Sequence, residues 1–162
     1  MSNPRENLIG ILQNAHAGEL AAAYAYRGHW KSLKESAEKT QIKKIEQEEW
    51  AHRANVRKWL EHLGAQPNAL REKIFWTIGR SLGASCYVSG WFFPMYFAGR
   101  LESQNVQEYV EAAGFAEELE MRDCAEEMLE MARIEGEHET FFSQAVTGHR
   151  LLPLAKTIFK WS

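Results

Sequence analysis

The sequence predicts an all-α fold: an antiparallel bundle of four long helices, with a short helix between the second and third and another at the C-terminus. Three observations carry that prediction. Glutamate supplies all but one of the 22 acidic side chains, Asp123 being the exception, and glutamate is a better helix former than aspartate. The 162 residues contain only four prolines, Pro4, Pro67, Pro94 and Pro153. Apolar residues recur every three or four positions through four long stretches, the period of a helix with one buried stripe. By length, residues 1–162 are expected to form a single domain with a substantial core.

The first long helix is expected over about residues 4–35, with Leu8, Ile11, Leu12, Ala15, Ala22, Ala23, Tyr26, Trp30 and Leu33 on its stripe. Ser36 is placed to cap a second helix that runs to Leu63. Its stripe is Ile42, Ile45, Val56, Trp59, Leu60 and Leu63, with Gly64 as a left-handed stop and Pro67 as a firm end. Residues 68–83 read as a short amphipathic helix with Leu70, Ile74, Phe75, Ile78 and Leu82 on one side. The third long helix is expected over about residues 84–112, with Trp91, Met95, Ala98, Val106, Tyr109 and Ala113 inward. Pro94 either kinks it or marks a later start. Gly114 is expected to break the pattern before a fourth helix, about residues 115–146, carrying Met121, Ala125, Met128, Ala132 and Phe142 inward. Residues 151–161 form a closing amphipathic piece with Lys156 and Lys160 on its polar side. Helices one and two echo helices three and four.

Composition excludes several classes of function. A net charge of -3 gives no electrostatic case for nucleic acid. Cys86 and Cys124 fall in no metal or redox spacing and read as reduced thiols of a cytosolic protein. Arg5 and Glu6, with no apolar run behind them, argue against a secretory signal. Residues 81–99 hold 19 positions without a charge, long enough for a membrane span. Their glycines, serines and Pro94, and the approach to an inward Glu102, favour a buried or surface-attached helix.

Each long helix places acid on its inward face: Glu19, then Glu49 with His52, then Glu102, then Glu135 with His138. A buried charge without a partner is costly, so these positions demand compensation. One Glu from each of two helices and Glu-x-x-His from each of the other two is the donor set of a dinuclear centre in a ferritin-like bundle. Hard carboxylates with imidazole suit iron or manganese. Glu-x-x-His alone is weak, since roughly one match arises by chance in so glutamate-rich a chain. The force lies in both matches sitting on apolar stripes beside two further inward glutamates. Tyr26 and Tyr109, each seven residues after an inward Glu, read as core residues lining the centre, with a hydrogen bond to a ligand or a radical role as the lesser alternative. His16 reads as a capping or solvated residue, and His29, His62 and His149 as surface histidines. Glu46, Glu48, Glu137 and Glu139 read as exposed charge, and Trp50 and Trp59 as packing.

With these residues the chain resembles the ferritin-like di-iron carboxylate superfamily, and within it the demethoxyubiquinone hydroxylase family of ubiquinone biosynthesis. The segments that carry the resemblance are GEL around Glu19, QEEWAH around Glu49 and His52, LES around Glu102 with Tyr109 beyond it, and IEGEH around Glu135 and His138. The Gln66-Pro67 break and the closing amphipathic helix extend it over nearly the whole chain. It departs at Ser103, where that family tends to a second Glu, and at Glu108, where it has a His before the Tyr. The aromatic WFFPMYF replaces a smaller Ala/Gly-rich stretch.

The resemblance implies a monooxygenase that uses dioxygen to hydroxylate a small lipophilic, quinone-type substrate. Glu19, Glu49, His52, Glu102, Glu135 and His138 would hold two iron ions, with manganese as the alternative metal. Trp91, Phe92, Phe93, Tyr96 and Phe97 are placed to wall an apolar substrate, to pack in the core, or to meet a membrane. The implied location is cytoplasmic, with peripheral attachment to the inner face of a membrane as a variant. A homodimer is compatible with the pattern but not indicated by it. Two readings stay open beside this one. The first is a rubrerythrin-like peroxidase or ferroxidase, against which the missing Cys-x-x-Cys pair counts. The second is a metal-free helical interaction module.

Overall fold

Asn3 accepts a hydrogen bond from the Arg5 N–H (3.1 Å), and Pro4 takes the first helical position, where no N–H is needed. The first helix, α1, therefore starts at once and spans Pro4–Ser32. The computed structural model describes residues 3–161, and among them are six helices and no strand. Ser36 caps α2 (Ala37–His62) by accepting from the Lys39 N–H at 3.2 Å. Gly64, at φ +67°, ends α2 in a Schellman turn: Ala65 N–H donates to the Leu60 carbonyl (2.8 Å) and Gly64 N–H to that of Glu61 (3.0 Å). Asn68 caps α3 (Ala69–Ser85). Then follow α4 (Phe92–Glu118), α5 (Arg122–Val146) and α6 (Leu152–Phe159). The expected all-α, ferritin-like bundle results: α1 packs on α2, α4 on α5, and α1 on α4, while α2 and α5 approach more loosely.

Three expected boundaries move. The third long helix starts at Phe92 rather than near residue 84, so Pro94 marks a later start and sits in the first turn, where its missing N–H is tolerated. Gly114 breaks nothing. It lies inside α4, which continues to Glu118 and turns at Glu120 (φ 58°), where Met121 N–H reaches the Ala116 carbonyl at 2.9 Å. The fourth long helix, α5, consequently begins at Arg122 and not near residue 115.

The buried apolar residues fall into two clusters instead of one. Leu8, Leu12, Val56, Leu60, Met128 and Met131 anchor the first, and Ile42, Ile45, Met95, Tyr96, Phe142 and Trp161 anchor the second. The polar centre described below lies between them along the bundle. Trp161, beyond α6, rests on Gly99, where a Cβ would collide with the indole.

The short helix α3 does not pack through its apolar side. Leu70, Ile74, Ile78 and Leu82 are 42–70% exposed, and what α3 buries is Gly79 and Gly83. A Cβ on Gly79 would land on the Ala21 backbone, and one on Gly28 of α1 would land on the Gly83 backbone. The two helices thus meet backbone to backbone, a closeness only small residues allow. Glu72 fastens the other end of α3, accepting from His16 Nδ1 (2.6 Å) and Arg53 Nη2 (2.6 Å), while Arg53 also donates to the His16 carbonyl. His16 is therefore buried and paired, neither a cap nor solvated, and burial holds its pKa below the ordinary imidazole value. Leaning on α1, α3 stands off α4 and leaves an apolar groove of about 650 Å³ between them.

Two glycine substitutions should have opposite signs. Gly28→Ala is expected to destabilise by about 1–3 kcal/mol through overpacking against Gly83. Gly114→Ala, with no heavy atom within 4 Å of the added methyl, should stabilise by about 1 kcal/mol as a helix-interior replacement. Urea midpoints read both, and a destabilising Gly114→Ala would mean that the helix ends there.

Candidate metal centre

Helical period alone aims the acids inward. Glu49 stands seven residues after Ile42 and His52 four before Val56, and both apolar partners are fully buried. The same register carries Glu19, Glu102, Glu135 and His138 into the bundle, all six residues being at most 3% exposed. The structure brings all six together. One donor atom from each of Glu19, Glu49, His52 and Glu135 lies within 4.8 Å of the others, and the same holds for Glu49, Glu102, Glu135 and His138. Glu49 and Glu135 are common to both sets. Glu19 with His52 and Glu102 with His138 belong to one set each, so the arrangement could hold two cations, with Glu49 and Glu135 within reach of both.

The donor atoms lie close together without aligned hydrogen bonds. His52 Nδ1 lies 2.7 Å from Glu135 Oε1, and His138 Nδ1 lies 3.4 Å from both Glu49 Oε1 and Glu135 Oε2. None of these contacts is aligned as a hydrogen bond, and both oxygens of Glu49 and of Glu135, both nitrogens of His52, His138 Nδ1 and Glu19 Oε2 are buried without a partner. Buried polar atoms are almost always paired, so a cluster of orphans with this donor chemistry fits a bound cation pair.

Electrostatics point the same way. Burial raises the pKa of Glu19, and it raises those of Glu49 and Glu102 well above the carboxylate range, with the neighbouring charge of Glu135 adding to the effect. Burial alone would raise Glu135 as well, but His138 and His52 outweigh it and hold that carboxyl low. Burial pulls His52 down, while Glu135 and Glu19 more than restore it, leaving the imidazole raised. Two imidazoles cannot neutralise four carboxylates, so the remainder must be met either by protons, the direction in which Glu49 and Glu102 are shifted, or by metal charge.

Neighbouring side chains orient the donors. Tyr109 of α4 donates to Glu19 Oε1 on α1, and Tyr26 of α1 donates to Glu102 Oε1 on α4, a reciprocal pair of hydrogen bonds. Both tyrosines are buried core residues, as expected, and each also makes the hydrogen bond of the lesser alternative. Asn105 Nδ2 donates to Glu102 Oε2 at 3.1 Å. His138 Nε2 meets Glu48 Oε2 at 3.1 Å, which corrects the reading of Glu48 as mere exposed charge.

Other expectations fail for reasons that lie in partner helices. Glu46 is buried, because Arg27 Nε (2.7 Å) and Trp30 Nε1 (2.7 Å) from α1 and Trp50 Nε1 (3.3 Å) all donate to it. Glu139 is half-buried and accepts from Trp161 Nε1, while Glu137 is exposed as expected. His62 is exposed, but His149 is half-buried and stacks on Phe92 at 4.3 Å. His29 is only 2% exposed, in the wall of the groove rather than on the surface. The aromatic cluster divides: Phe92 and Tyr96 are core, Trp91 donates to Glu38, and Phe93 and Phe97 line the groove. Tyr26 and Glu102 also line it, so the groove reaches the polar centre. Residues 81–99 are split between α3, a turn and α4, and no helix among the described residues is long and apolar enough to cross a membrane.

The family described as ubiquinone biosynthesis protein COQ7 matches residues 6–113. Neither a curated protein nor a solved structure matches the chain. The family match takes in Glu19, Glu49, His52 and Glu102 with both tyrosines, and stops before Glu135 and His138, which the fold brings to the same point.

Without metal, the excess of buried acid should cost stability. Glu49→Gln is expected to raise the stability of the chelator-treated protein by about 1–3 kcal/mol, while reducing its capacity for divalent metal. Thermal unfolding with and without metal reads both effects, and a loss of stability in the metal-free protein would contradict the electrostatic account.

Proposed function

The chain belongs to the family of ubiquinone biosynthesis protein COQ7, and from that premise we propose that it is a di-iron monooxygenase that hydroxylates a lipophilic quinone-type ring with dioxygen. One observation carries the reading: Tyr26 and Glu102 belong both to the polar centre and to the wall of an apolar groove. A site that only cycled iron or peroxide would have no use for such a groove. A metal-free module would leave its buried donor atoms unpaired.

Two irons held by Glu19, Glu49, His52, Glu102, Glu135 and His138 would supply the activation of dioxygen. The chain supplies geometry and dryness. Tyr26 and Tyr109 fix the two unshared carboxylates, and Glu48 fixes His138. The groove floor along α1 is made by Gly18, Ala21, Ala22 and Ala25, small enough to leave room for a flat ring and an apolar tail, with Phe75 and Phe97 among its walls.

The groove also argues for where substrate enters. Ile78 and Leu82 line it and are at the same time exposed, beside the exposed Leu70 and Ile74. A contiguous apolar helix face of this kind suits peripheral contact with a bilayer in which the substrate is dissolved. In the same proposal the protein sits on the inner face of a membrane without crossing it.

Two experiments test these assignments. Protein reconstituted with ferrous iron should hold two irons per chain and, given a reductant and ¹⁸O₂, should transfer one labelled oxygen to a short-tailed quinol lacking a ring substituent. Glu49→Ala should abolish that product. Peroxide consumption or ferrous oxidation without any labelled product would favour the peroxidase or ferroxidase reading instead. Replacing Ile74 and Ile78 together by Asp should weaken flotation with phospholipid vesicles by about tenfold or more, and unchanged flotation would remove α3 from the contact.

A further inference from the structure

Away from the metal centre, the buried side-chain atoms without a hydrogen-bond partner among the described residues are His29 Nε2, Ser89 Oγ, Tyr96 Oη and Arg100 Nε. Three of these four belong to residues that line the groove: His29, Ser89 and Arg100. They come from the last turn of α1, the turn before α4, and the third turn of α4. Most of the remaining lining surface is apolar; its other polar side chains include Asn14 and Glu108, paired with each other, and Tyr26, Glu102 and Asn105, tied together at the metal centre, so the three orphans are the lining atoms left buried without a partner.

A buried polar atom left unpaired costs stability, and three around one cavity mark a place where a ligand completes the pairing. Arg100 Nε is a donor, while Ser89 Oγ and a neutral imidazole can each donate or accept. Burial lowers His29 to a pKa of about 4, so near neutrality its ring is uncharged. The set, one fixed cationic donor and two neutral groups, therefore suits oxygen acceptors, and the apolar surface around it suits a planar molecule whose polarity is confined to those oxygens.

We propose that His29, with Ser89 and Arg100, forms a polar receptor in the groove that hydrogen-bonds a ring oxygen of the bound quinone, selecting an oxygenated ring over a hydrocarbon of the same shape. This rests on the quinone reading above and adds which residues recognise the ring. His29 is a specificity residue here; it is ten positions from Glu19 and holds no place among the metal donors.

The test compares two ligands of one carbon skeleton, 2-methyl-1,4-naphthoquinone and 2-methylnaphthalene, with dissociation constants measured on the iron-loaded protein. Wild type should bind the quinone about tenfold or more tightly than the hydrocarbon, the scale of one or two buried hydrogen bonds. His29→Leu should lose most of that preference while binding the hydrocarbon within about twofold of wild type. Its iron content should stay unchanged, and its melting temperature should stay level or rise, because an orphaned polar atom has been removed. Ser89→Ala lies in a turn outside the helices and should lose part of the preference, which keeps the test decisive if His29→Leu fails to fold. His29→Gln should retain most of it. Equal binding of both ligands by wild type, or an undiminished preference in His29→Leu and Ser89→Ala, overturns the receptor. Neither result depends on the labelled-oxygen experiment, which judges the monooxygenase reading separately.

Discussion

Six ionisable side chains buried at the middle of the bundle are the constraint to which the rest of the structure answers. Four carboxylates and two imidazoles within a few ångströms would ordinarily drive helices apart or fill with water. Here the apolar core divides into two clusters, one on each side of the polar layer, and each closes the bundle independently. The loose approach of α2 to α5 follows, since these helices carry the two Glu-x-x-His pairs and need room between them. The tighter pairings are α1 with α2 and α4 with α5, each joining a helix with one inward Glu to a helix with Glu-x-x-His.

The second organising feature is a helix that packs with its glycines. Because α3 meets α1 through Gly79, Gly83 and Gly28, its large apolar residues are left for other duties: a groove wall on one side and an exposed face on the other. A conventional amphipathic packing of Leu70, Ile74, Ile78 and Leu82 onto the bundle would have closed the groove. The route from the surface to Glu102 thus exists because two backbones come closer than side chains would permit.

The convergence of the six side chains was legible because each stands on an apolar stripe of its own helix, so a one-dimensional period was enough to aim them inward. Ser36 and Gly64 were equally legible, since caps and left-handed stops depend on local chemistry. What sequence reasoning missed depends on partners. Glu46 looked like surface charge until Arg27, Trp30 and Trp50 gathered around it, and nothing local reveals that His16 finds Glu72 fifty-six residues away. The spacing of Gly79 and Gly83 was a readable sign of close helix approach, but the periodic apolar residues on the opposite side of α3 masked it. Gly114 misled for the converse reason: a lone glycine can lie within a helix whose neighbours hold it there.

The crossed tyrosines have a mechanical consequence. Glu19 and Tyr26 are seven residues apart on α1, Glu102 and Tyr109 seven apart on α4, and each tyrosine reaches the glutamate of the opposite helix. In an antiparallel pair, sliding one helix along the other would pull both contacts apart at once and strip two buried carboxylates of their donors together. The two bonds act as a two-point gauge that fixes the axial register of α1 against α4.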